Sequence, residues 1–201
     1  MPDYSIEKEI INEGFNIIAG VDEAGRGPLA GPVCAAAVIL PTDLEIEGLN
    51  DSKKLSEKKR EALYDIIIEK AVVYDIQLID NNVIDEINIL NATLEAMTNA
   101  VNNLKIKPDY VIIDGNRLPS RLEIPAKAVV KGDAKSMSIA AASILAKVTR
   151  DRFMLELDKK YPEYEFSRHK GYGTKLHQEK LKEFGPCEIH RKTFIKKILD
   201  K

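Results

Sequence analysis

Two adjacent carboxylates stand beside a glycine-rich turn near the start of the chain. Asp22 and Glu23 follow an apolar run at 17–21, and a Gly-Arg-Gly turn occupies 25–27. Adjacent carboxylates are costly in a core but are good oxygen ligands for a hard cation. The turn adds a fixed positive charge and backbone N–H groups that can face an anion. This order of residues indicates a place where a metal ion and a phosphate ester meet.

Two further aspartates share this context at strand ends. Asp114 ends a predicted strand that begins at Tyr110, and Asp133 follows the predicted strand 124–130. Ligands bind outside the carboxyl ends of strands in open α/β sheets, so the four carboxylates could converge. Oxygen-only ligands favour Mg²⁺ or Mn²⁺ over zinc. Two such ions, about 3.5–4 Å apart, activate a water and stabilise the leaving oxygen in phosphodiester hydrolysis.

Each of these carboxylates also has a purely structural interpretation. Asp133 could be only the N-cap of the helix that follows it. Asp114, followed by Gly115 and Asn116, could be only a turn. Asp22 and Glu23 would point to opposite faces of a regular strand, so both reach one site only if the chain twists at the turn.

Lysines and serines supply candidate contacts to phosphate. Lys53 and Lys54 lie in a polar loop and could hold phosphate or be simply solvated. Ser136, Ser143 and Lys147 recur at offsets of seven and four, which forms one polar stripe on a mostly apolar predicted helix. Such a buried lysine needs a partner and could neutralise a phosphate. The alternative is that the stripe is the exposed edge of the helix.

One aromatic residue is set between glycines. Tyr172 has Gly171 and Gly173 as neighbours, an arrangement suited to presenting the ring for stacking on a sugar or base. The histidines show no zinc-like spacing with the cysteines, so we expect structural or solvent-facing roles for them.

The hydrophobic periodicity predicts an α/β fold with a mixed five-stranded sheet flanked by helices. The predicted strands are 16–21, 33–40, 72–79, 110–113 and 124–130. The predicted helices are 57–70, 91–104, 136–157, 175–184 and 189–199. We expect a catalytic core at 1–157 and a helical C-terminal extension at 158–201.

Composition is that of an ordinary globular protein. The chain has 201 residues, of which 44% are hydrophobic and 31% charged, enough for a real core. The longest apolar run, 33–40, is too short to span a bilayer, and the N-terminus lacks a signal-peptide pattern. Cys34 and Cys187 are therefore expected to be free thiols of a cytoplasmic protein.

Charge is unevenly distributed along the chain. The whole chain has a net charge of −2, but residues 167–201 hold ten Lys/Arg and four Asp/Glu. A basic tail on an acidic body could contact a nucleic-acid backbone. The alternative is an ordinary solvated helical surface.

These motifs together resemble the ribonuclease HII family, the bacterial type 2 ribonucleases H. The resembling segments are 20–33, 50–55, 113–116, 131–135, 138–147 and 169–174. The related ribonuclease HIII carries an additional N-terminal substrate-binding domain. Only about fifteen residues precede the first predicted strand, so the resemblance favours ribonuclease HII.

The resemblance implies a ribonuclease H-like fold and a metal-dependent endonuclease. It implies that two Mn²⁺ or Mg²⁺ ions are held by Asp22, Glu23, Asp114 and Asp133. It also implies cleavage of RNA in RNA–DNA hybrids, and cleavage 5′ of single ribonucleotides in duplex DNA, leaving 3′-hydroxyl and 5′-phosphate ends. The expected partners are these nucleic acids, with no membrane, and the expected state is a monomer.

The resemblance further implies which residues contact substrate. Three would read the ribose 2′-hydroxyl, the group that distinguishes RNA from DNA: Gly25, Arg26 and Gly27. Tyr172 would stack on the nucleotide at the RNA-to-DNA junction. The candidate phosphate contacts are Lys53, Lys54, Ser143, Lys147 and Lys170.

Two rival functions are consistent with parts of this pattern. A magnesium-dependent phosphohydrolase of small nucleotides would use the carboxylates but would not need the basic tail. A hybrid-binding protein without catalysis would keep the tail, but the presence of all four carboxylates argues against it.

Overall fold

The computed structural model describes residues 1–199, apart from the Lys197 side chain; residues 200–201 of the predicted extension lie outside it. The fold is built on one five-stranded sheet with strand order β3-β2-β1-β4-β5. The strands are β1 (Ile18–Ala24), β2 (Val33–Ile39), β3 (Val73–Ile79), β4 (Tyr110–Asp114) and β5 (Ala126–Val129). β2 is antiparallel to β1 and β3, whereas β4 is parallel to β1 and β5. The predicted mixed sheet is confirmed.

Helices cover both faces of the sheet and form the C-terminal region. Within residues 1–199 the α-helices are α1 (Ser5–Asn12), α2 (Glu57–Lys70), α3 (Asn81–Asn103), α4 (Met137–Lys160), α5 (Phe166–His169), α6 (Lys175–Phe184) and α7 (Lys192–Leu199). The predicted bounds of α2 and α6 are confirmed. α4 ends three residues later than predicted, and α7 begins three residues later. α1 and α5 were not predicted. No helix in this part of the chain is long and apolar enough to cross a membrane.

α3 begins ten residues before the predicted start. It consists of two helical portions on either side of a break, and only the second was predicted. Asn88 has φ 67° and ψ 163°, so the backbone leaves the helical conformation there. The Asn88 side chain then accepts a hydrogen bond from Asn91 N–H at 3.1 Å, which restarts the helix. The predicted helix at 91–104 corresponds to the portion after this restart. The portion before it is capped by Asp80.

The core lies on both faces of the sheet. Val21, Ala35 and Ala37 pack against α3, whereas Ala36 and Val38 face α4 and α2. This alternation follows the two-residue period of a strand. Because both faces are covered, β2 is buried along its whole length.

Gly20 lets β1 lie directly on α4. A Cβ placed on Gly20 would lie 2.2 Å from the carbonyl carbon of Ser138, closer than any real contact. The first half of α4 is apolar and fully buried, as its sequence predicts. This close crossing sets the position of Asp22, two residues further along β1.

The C-terminal region docks on the loop that joins β1 to β2. Leu29 N–H donates to Gly171 O at 2.8 Å, and Arg191 N–H donates to Leu29 O at 2.8 Å. Leu29 also packs with Leu181 and Ile195 in a small apolar cluster. The helical extension therefore packs against the chain beside the Gly-Arg-Gly turn.

Candidate active site

Three carboxylates meet at the carboxyl end of the sheet. One oxygen each from Asp22, Asp114 and Asp133 lies within 4.8 Å of the others. The parallel register pairs Val21 with Ile113, so the residues that follow, Asp22 and Asp114, are neighbours on adjacent strands. The predicted convergence of these distant aspartates is what the fold produces.

The loop after β5 holds Asp133 against Asp114. Gly132 N–H donates to Asp114 Oδ1 at 2.6 Å, and Asp133 follows in a 3₁₀ turn at Gly132–Ala134. Ser136, rather than Asp133, caps α4 by accepting from Ile139 N–H. The capping interpretation of Asp133 is therefore wrong. Asp114 likewise does more than form a turn, since its carboxylate ties the ends of two strands together.

Glu23 points to the other face of β1. The strand runs to Ala24, beyond its predicted end at 21, so Asp22 and Glu23 alternate as in any regular strand. Glu23 lines a surface cavity of about 330 Å³ together with Asp114. Arg26 Nη1 donates to Glu23 Oε1 at 3.3 Å. Glu23 is outside the group of three carboxylates and approaches it from the α3 side, next to Asp114.

Burial and mutual repulsion raise the pKa values of these acids. Burial, then the charges of Glu23 and Asp114, raises the pKa of Asp22 well above its usual value. Burial, then Asp114 and Asp51, raises the pKa of Asp133. Burial also raises the pKa of Glu23, although the Arg26 charge opposes the shift. Raised pKa values show that these acids have too little positive charge around them, which a bound cation would supply.

Asp51 is a fifth acid beside this group that the sequence analysis did not assign. Its side chain accepts from Lys53 N–H at 2.9 Å, and its charge contributes to the raised pKa of Asp133. Lys53 Nζ lies 3.9 Å from Asp133 Oδ2, whereas Lys54 Nζ lies 4.0 Å from Asp51 Oδ2. Only the neighbouring lysines could have indicated Asp51 from the sequence.

The serines of the predicted polar stripe are buried. Ser143 Oγ donates to Ser52 Oγ at 2.8 Å and lies close to Asp22, where it opposes the rise of the Asp22 pKa. Ser136 is likewise buried, with its hydroxyl donating to Glu7. The stripe is therefore not an exposed edge of α4. It joins α4 to the 3₁₀ turn Ser52–Lys54 and to β1.

Lys147 and Tyr172 lie next to each other at the edge of the site. Lys147 Nζ lies 5.6 Å from the Tyr172 ring centroid and donates to Asp151 Oδ1 at 2.8 Å. The Tyr172 side chain remains partly exposed, at 39%. Lys170 Nζ donates to the Ser167 carbonyl, so its charge is directed back to its own segment.

The Gly-Arg-Gly turn adjoins Tyr172. Gly25 has φ +91°, and a Cβ there would lie 2.0 Å from Arg150 Nε, so both conformation and space require glycine. A Cβ on Gly27 would lie 3.9 Å from Tyr172 Cε1. The turn, the aromatic ring and Glu23 thus form one continuous surface.

Two fully buried arginines support this surface and were not found by sequence reasoning. Arg150 of α4 donates to the carbonyls of Ala30, Pro32 and Lys170. Arg191 donates to carbonyls of the same loop. Arg150 follows the buried apolar half of α4, and this position was the available signal for it. The sequence around Arg191 carries no comparable signal.

Known proteins resemble this chain over nearly its whole length. The sequence model of one protein family, Ribonuclease HII, matches residues 19–197. The chain belongs to the ribonuclease HII family. A ribonuclease HII of Caldicellulosiruptor bescii is 57% identical over 196 residues, which cover 98% of this chain and 95% of that protein. One of Acetivibrio thermocellus is 60% identical, over 96% of this chain and 75% of that protein.

One solved structure agrees with this assignment to the ribonuclease HII family, and another shares the fold alone. The ribonuclease H2 from Pyrococcus horikoshii OT3 is 33% identical with a TM-score of 0.75, covering 92% of this chain and 98% of that one. Bst-RNase HIII, solved in complex with Mn²⁺, is 18% identical with a TM-score of 0.68, over 92% of this chain and 64% of that one; it shares the fold. As a family member, the protein is a ribonuclease H, a metal-dependent endonuclease of class EC 3.1.26.4.

Proposed function

We propose that the protein hydrolyses the RNA strand of RNA–DNA hybrids and cuts 5′ of single ribonucleotides in duplex DNA. The products would carry 3′-hydroxyl and 5′-phosphate ends. The observation that carries this proposal is the group of Asp22, Asp114 and Asp133, whose carboxylate oxygens lie within 4.8 Å of one another. It adjoins a surface formed by the Gly-Arg-Gly turn and Tyr172.

Asp22, Asp114 and Asp133 would hold two divalent ions, Mn²⁺ or Mg²⁺, together with Glu23, which lies beside Asp114 on the opposite face of β1. Every donor is a carboxylate oxygen, the chemistry that such hard ions prefer. The raised pKa values of Asp22, Glu23 and Asp133 support this fit, because a cation would relieve their repulsion and displace their protons. The bound ions would supply a polarised water as nucleophile and neutralise charge on the leaving oxygen.

The surface beside the carboxylates would recognise ribose. The backbone of Gly25, Arg26 and Gly27 would contact the 2′-hydroxyl, and the Tyr172 ring would stack on the nucleotide at the junction. The closeness of Gly27 to Tyr172 supports a shared sugar-binding surface. Both elements are partly exposed beside the acids.

Nearby cations would hold the phosphates. Lys53 and Lys147 are the best placed of the candidates, because one lies beside Asp133 and the other beside Tyr172. Lys54 and Lys170 remain proposals with less geometric support. Ser143 is buried, so we propose that its hydroxyl orients Asp22 rather than touching a phosphate.

The remaining expectations stay proposals. We propose a catalytic core at 1–157 with an extension from 158, a boundary that falls in the last turn of α4. We also propose a monomer that acts in the cytoplasm on nucleic acid and needs no membrane.

One cleavage assay tests the proposed function. A DNA duplex with a single ribonucleotide is incubated with the protein and Mn²⁺, Mg²⁺ or a chelator, and the cut is mapped. We expect one cut 5′ of the ribonucleotide that requires a divalent ion, and none in the matched all-DNA duplex. An intact ribonucleotide duplex with either ion would contradict the proposal and favour a hybrid-binding protein without catalysis.

A further inference from the structure

The Gly-Arg-Gly turn is held from below by one buried guanidinium. Arg191 Nη2 donates to Gly25 O at 2.6 Å and to Pro32 O at 3.1 Å. Its Nη1 donates to Arg26 O at 2.9 Å, and its Nε donates to Gly31 O at 2.9 Å. All five N–H donors of a guanidinium lie in one rigid plane, so these contacts fix the carbonyls relative to one another. The orientation of the turn therefore depends on a residue from the C-terminal region.

The Arg191 charge is compensated by carbonyl dipoles. The side chain is fully buried, and within residues 1–199 it forms no salt bridge shorter than 4 Å. Burial, and then the Arg150 charge, lower the pKa of Arg191 to about 9, so the guanidinium remains charged at neutral pH. Its hydrogen-bond partners are all carbonyls, and its Cζ lies 5.2 Å from the Phe194 ring centroid. A buried charge without a carboxylate partner is costly to desolvate, which makes a purely stabilising role a poor explanation for it.

A chain of imidazoles holds the Tyr172 segment in the same way. His177 Nδ1 lies 3.0 Å from Tyr172 O, and His177 Nε2 lies 3.1 Å from His190 Nε2. Cys187 N–H donates to His190 Nδ1 at 3.0 Å. A carbonyl can only accept, so His177 carries its proton on Nδ1. His190 must then carry its proton on Nε2. Every ring nitrogen of these two imidazoles then has a hydrogen-bond partner.

Packing leaves these rings little freedom. His177 and His190 are both almost completely buried. His169 stacks on His177 with ring centroids 4.4 Å apart, and Phe166 meets the His177 ring edge to face. Because the rings cannot turn, the hydrogen bond to Tyr172 O has a fixed direction.

The hydrogen bonds that hold the turn and those that hold the Tyr172 segment start from consecutive residues, Arg191 and His190. His190 forms an antiparallel bridge with Ala30, in the loop that follows the turn. From this one point His190 reaches Tyr172 through His177, and Arg191 reaches the carbonyls of Gly25 and Arg26. This dipeptide thus joins the turn to the Tyr172 segment, in addition to the Arg150 contacts and the Leu29–Gly171 hydrogen bond described above.

We propose that His190 and Arg191 are positioning residues for ribose recognition. Arg191 orients the backbone of Gly25 and Arg26, and His190 acts through His177 to fix the backbone that presents Tyr172. Neither side chain touches the substrate. The inference rests on the proposed function, in which the turn and Tyr172 read the ribose.

Binding discrimination tests the role of Arg191 without relying on turnover. The Kd for a duplex with one ribonucleotide is compared with the Kd for its all-DNA match, in Ca²⁺ to prevent cleavage. In Arg191→Lys we expect the preference for the ribonucleotide duplex to fall about tenfold, the worth of a lost hydrogen bond. The affinity of Arg191→Lys for the all-DNA duplex should stay within about twofold of the wild-type value. The same is expected of the control Arg152→Gln, which changes an exposed arginine.

A pair of substitutions tests the imidazole chain independently of Arg191. The amide nitrogen of Asn can take the place of Nδ1, so His177→Asn keeps a donor to the Tyr172 carbonyl, whereas His177→Leu removes it. We expect His177→Leu to lose ribose preference and His177→Asn to keep most of it. Imidazole ¹⁵N shifts of the wild type should show the proton of His177 on Nδ1, a measurement that needs no variant.

The outcomes separate this inference from the proposed function. A wild type that neither cuts nor prefers the ribonucleotide duplex would contradict the proposed function. A wild type with that preference, and a folded Arg191→Lys that keeps it in full, would overturn the positioning role alone. If Arg191→Lys does not fold, either of two other results would overturn the positioning role. One is an equal ribose preference in His177→Leu and His177→Asn, and the other is a His177 proton on Nε2.

Discussion

Asp114 occupies the centre of the carboxylate group. Its Oδ1 accepts from Gly132 N–H, and its charge contributes to the raised pKa values of Asp22, Glu23 and Asp133. Asp114 lies next to Asp22 and Asp133 on the α4 side of the sheet and also next to Glu23 on the α3 side. A change at Asp114 should therefore affect the whole site.

Asp114→Asn should reduce cleavage on the order of 10³-fold, because it removes one charge from a metal site that supplies several kcal/mol. The amide oxygen can still accept from Gly132, so hybrid affinity in Ca²⁺ should change by less than about threefold. Cleavage with Mn²⁺ and hybrid binding are the two measurements. Asp65→Asn, at a largely exposed surface position, is the control and should cut normally. Turnover like the wild type in Asp114→Asn would count against the carboxylate site.

The buried histidines predict acid sensitivity. Burial chiefly lowers the pKa values of His177 and His190 to about 4, whereas the unfolded chain has values of about 6.5. The groups that face them are His169, Cys187 and Tyr164. Between these two pH values the unfolded state binds more protons at the two histidines, so their contribution to the free energy of unfolding decreases as pH falls from 6.5 towards 4. The raised pKa values of Asp22, Glu23 and Asp133 act in the opposite direction.

The two histidines should lower the thermal midpoint by about 7–15 °C between pH 7 and pH 5, because together they lose roughly 3–4 kcal/mol and a chain of this size loses about 2–4 °C per kcal/mol. Calorimetry at several pH values measures the loss. His177→Asn has one buried imidazole fewer and should show a shallower decline. An equal decline in the wild type and in His177→Asn would mean that the His177 ring does not remain neutral in the fold.

At the scale of elements, the crossing of β1 over α4 determines where the acids lie. The crossing depends on Gly20, because a Cβ there would meet the Ser138 backbone. Ser143, further along α4, donates to Ser52 and lies close to Asp22. A shift of β1 against α4 would therefore change the packing of the core and the spacing of the carboxylates together.

Gly20→Ala should destabilise the protein by about 2–4 kcal/mol, because backbone rather than a flexible side chain must move. It should also weaken Mn²⁺ binding, since Asp22 moves with β1. Urea denaturation and metal titration are the measurements. Gly48→Ala is the matched control: Gly48 has φ +79° and nothing within 4 Å, so only backbone strain of about 1 kcal/mol is expected. Equal stability loss in the two variants would show that the crossing tolerates a side chain.

At the scale of the whole molecule, the basic C-terminal region lies beside the proposed sugar-binding surface. Residues 167–201 hold ten Lys/Arg against four Asp/Glu. Among them Lys182, Lys192 and Lys196 are exposed. Contacts of such lysines with phosphates release counterions and make affinity depend on salt.

Hybrid affinity should decrease roughly 100-fold between about 50 and 200 mM salt, as expected for about four phosphate contacts. The triple substitution of Lys182, Lys192 and Lys196 by Gln should give a shallower slope of log Kd against log salt. Titrations at several salt concentrations in Ca²⁺ supply the slopes. Identical slopes for both proteins would assign the basic tail to ordinary solvated surface.

The sequence anticipated most of the sheet and both long helices. All five strands were predicted within a few residues, because the sheet is covered on both faces and its strands are apolar and β-branched. The N-terminal helix α1 was missed for a physical reason: its N-cap, Tyr4, makes no side-chain capping hydrogen bond. A tertiary contact holds α1 in place: Glu7 accepts hydrogen bonds from Ser136 and Ser138, at the start of α4.

The sequence by itself determined the family, the four strand-end carboxylates and the Gly-Arg-Gly turn, because these are local patterns. Only the tertiary structure decided how the acids are arranged: Asp22 and Glu23 lie on opposite faces, with Asp114 next to both. It also revealed Asp51 and the two buried arginines. The contacts of Arg191 join residues 165 and 166 positions apart, and its partners are backbone carbonyls, which every residue has. A pairing of that kind leaves no trace in residue type or spacing, so only the folded chain identifies it.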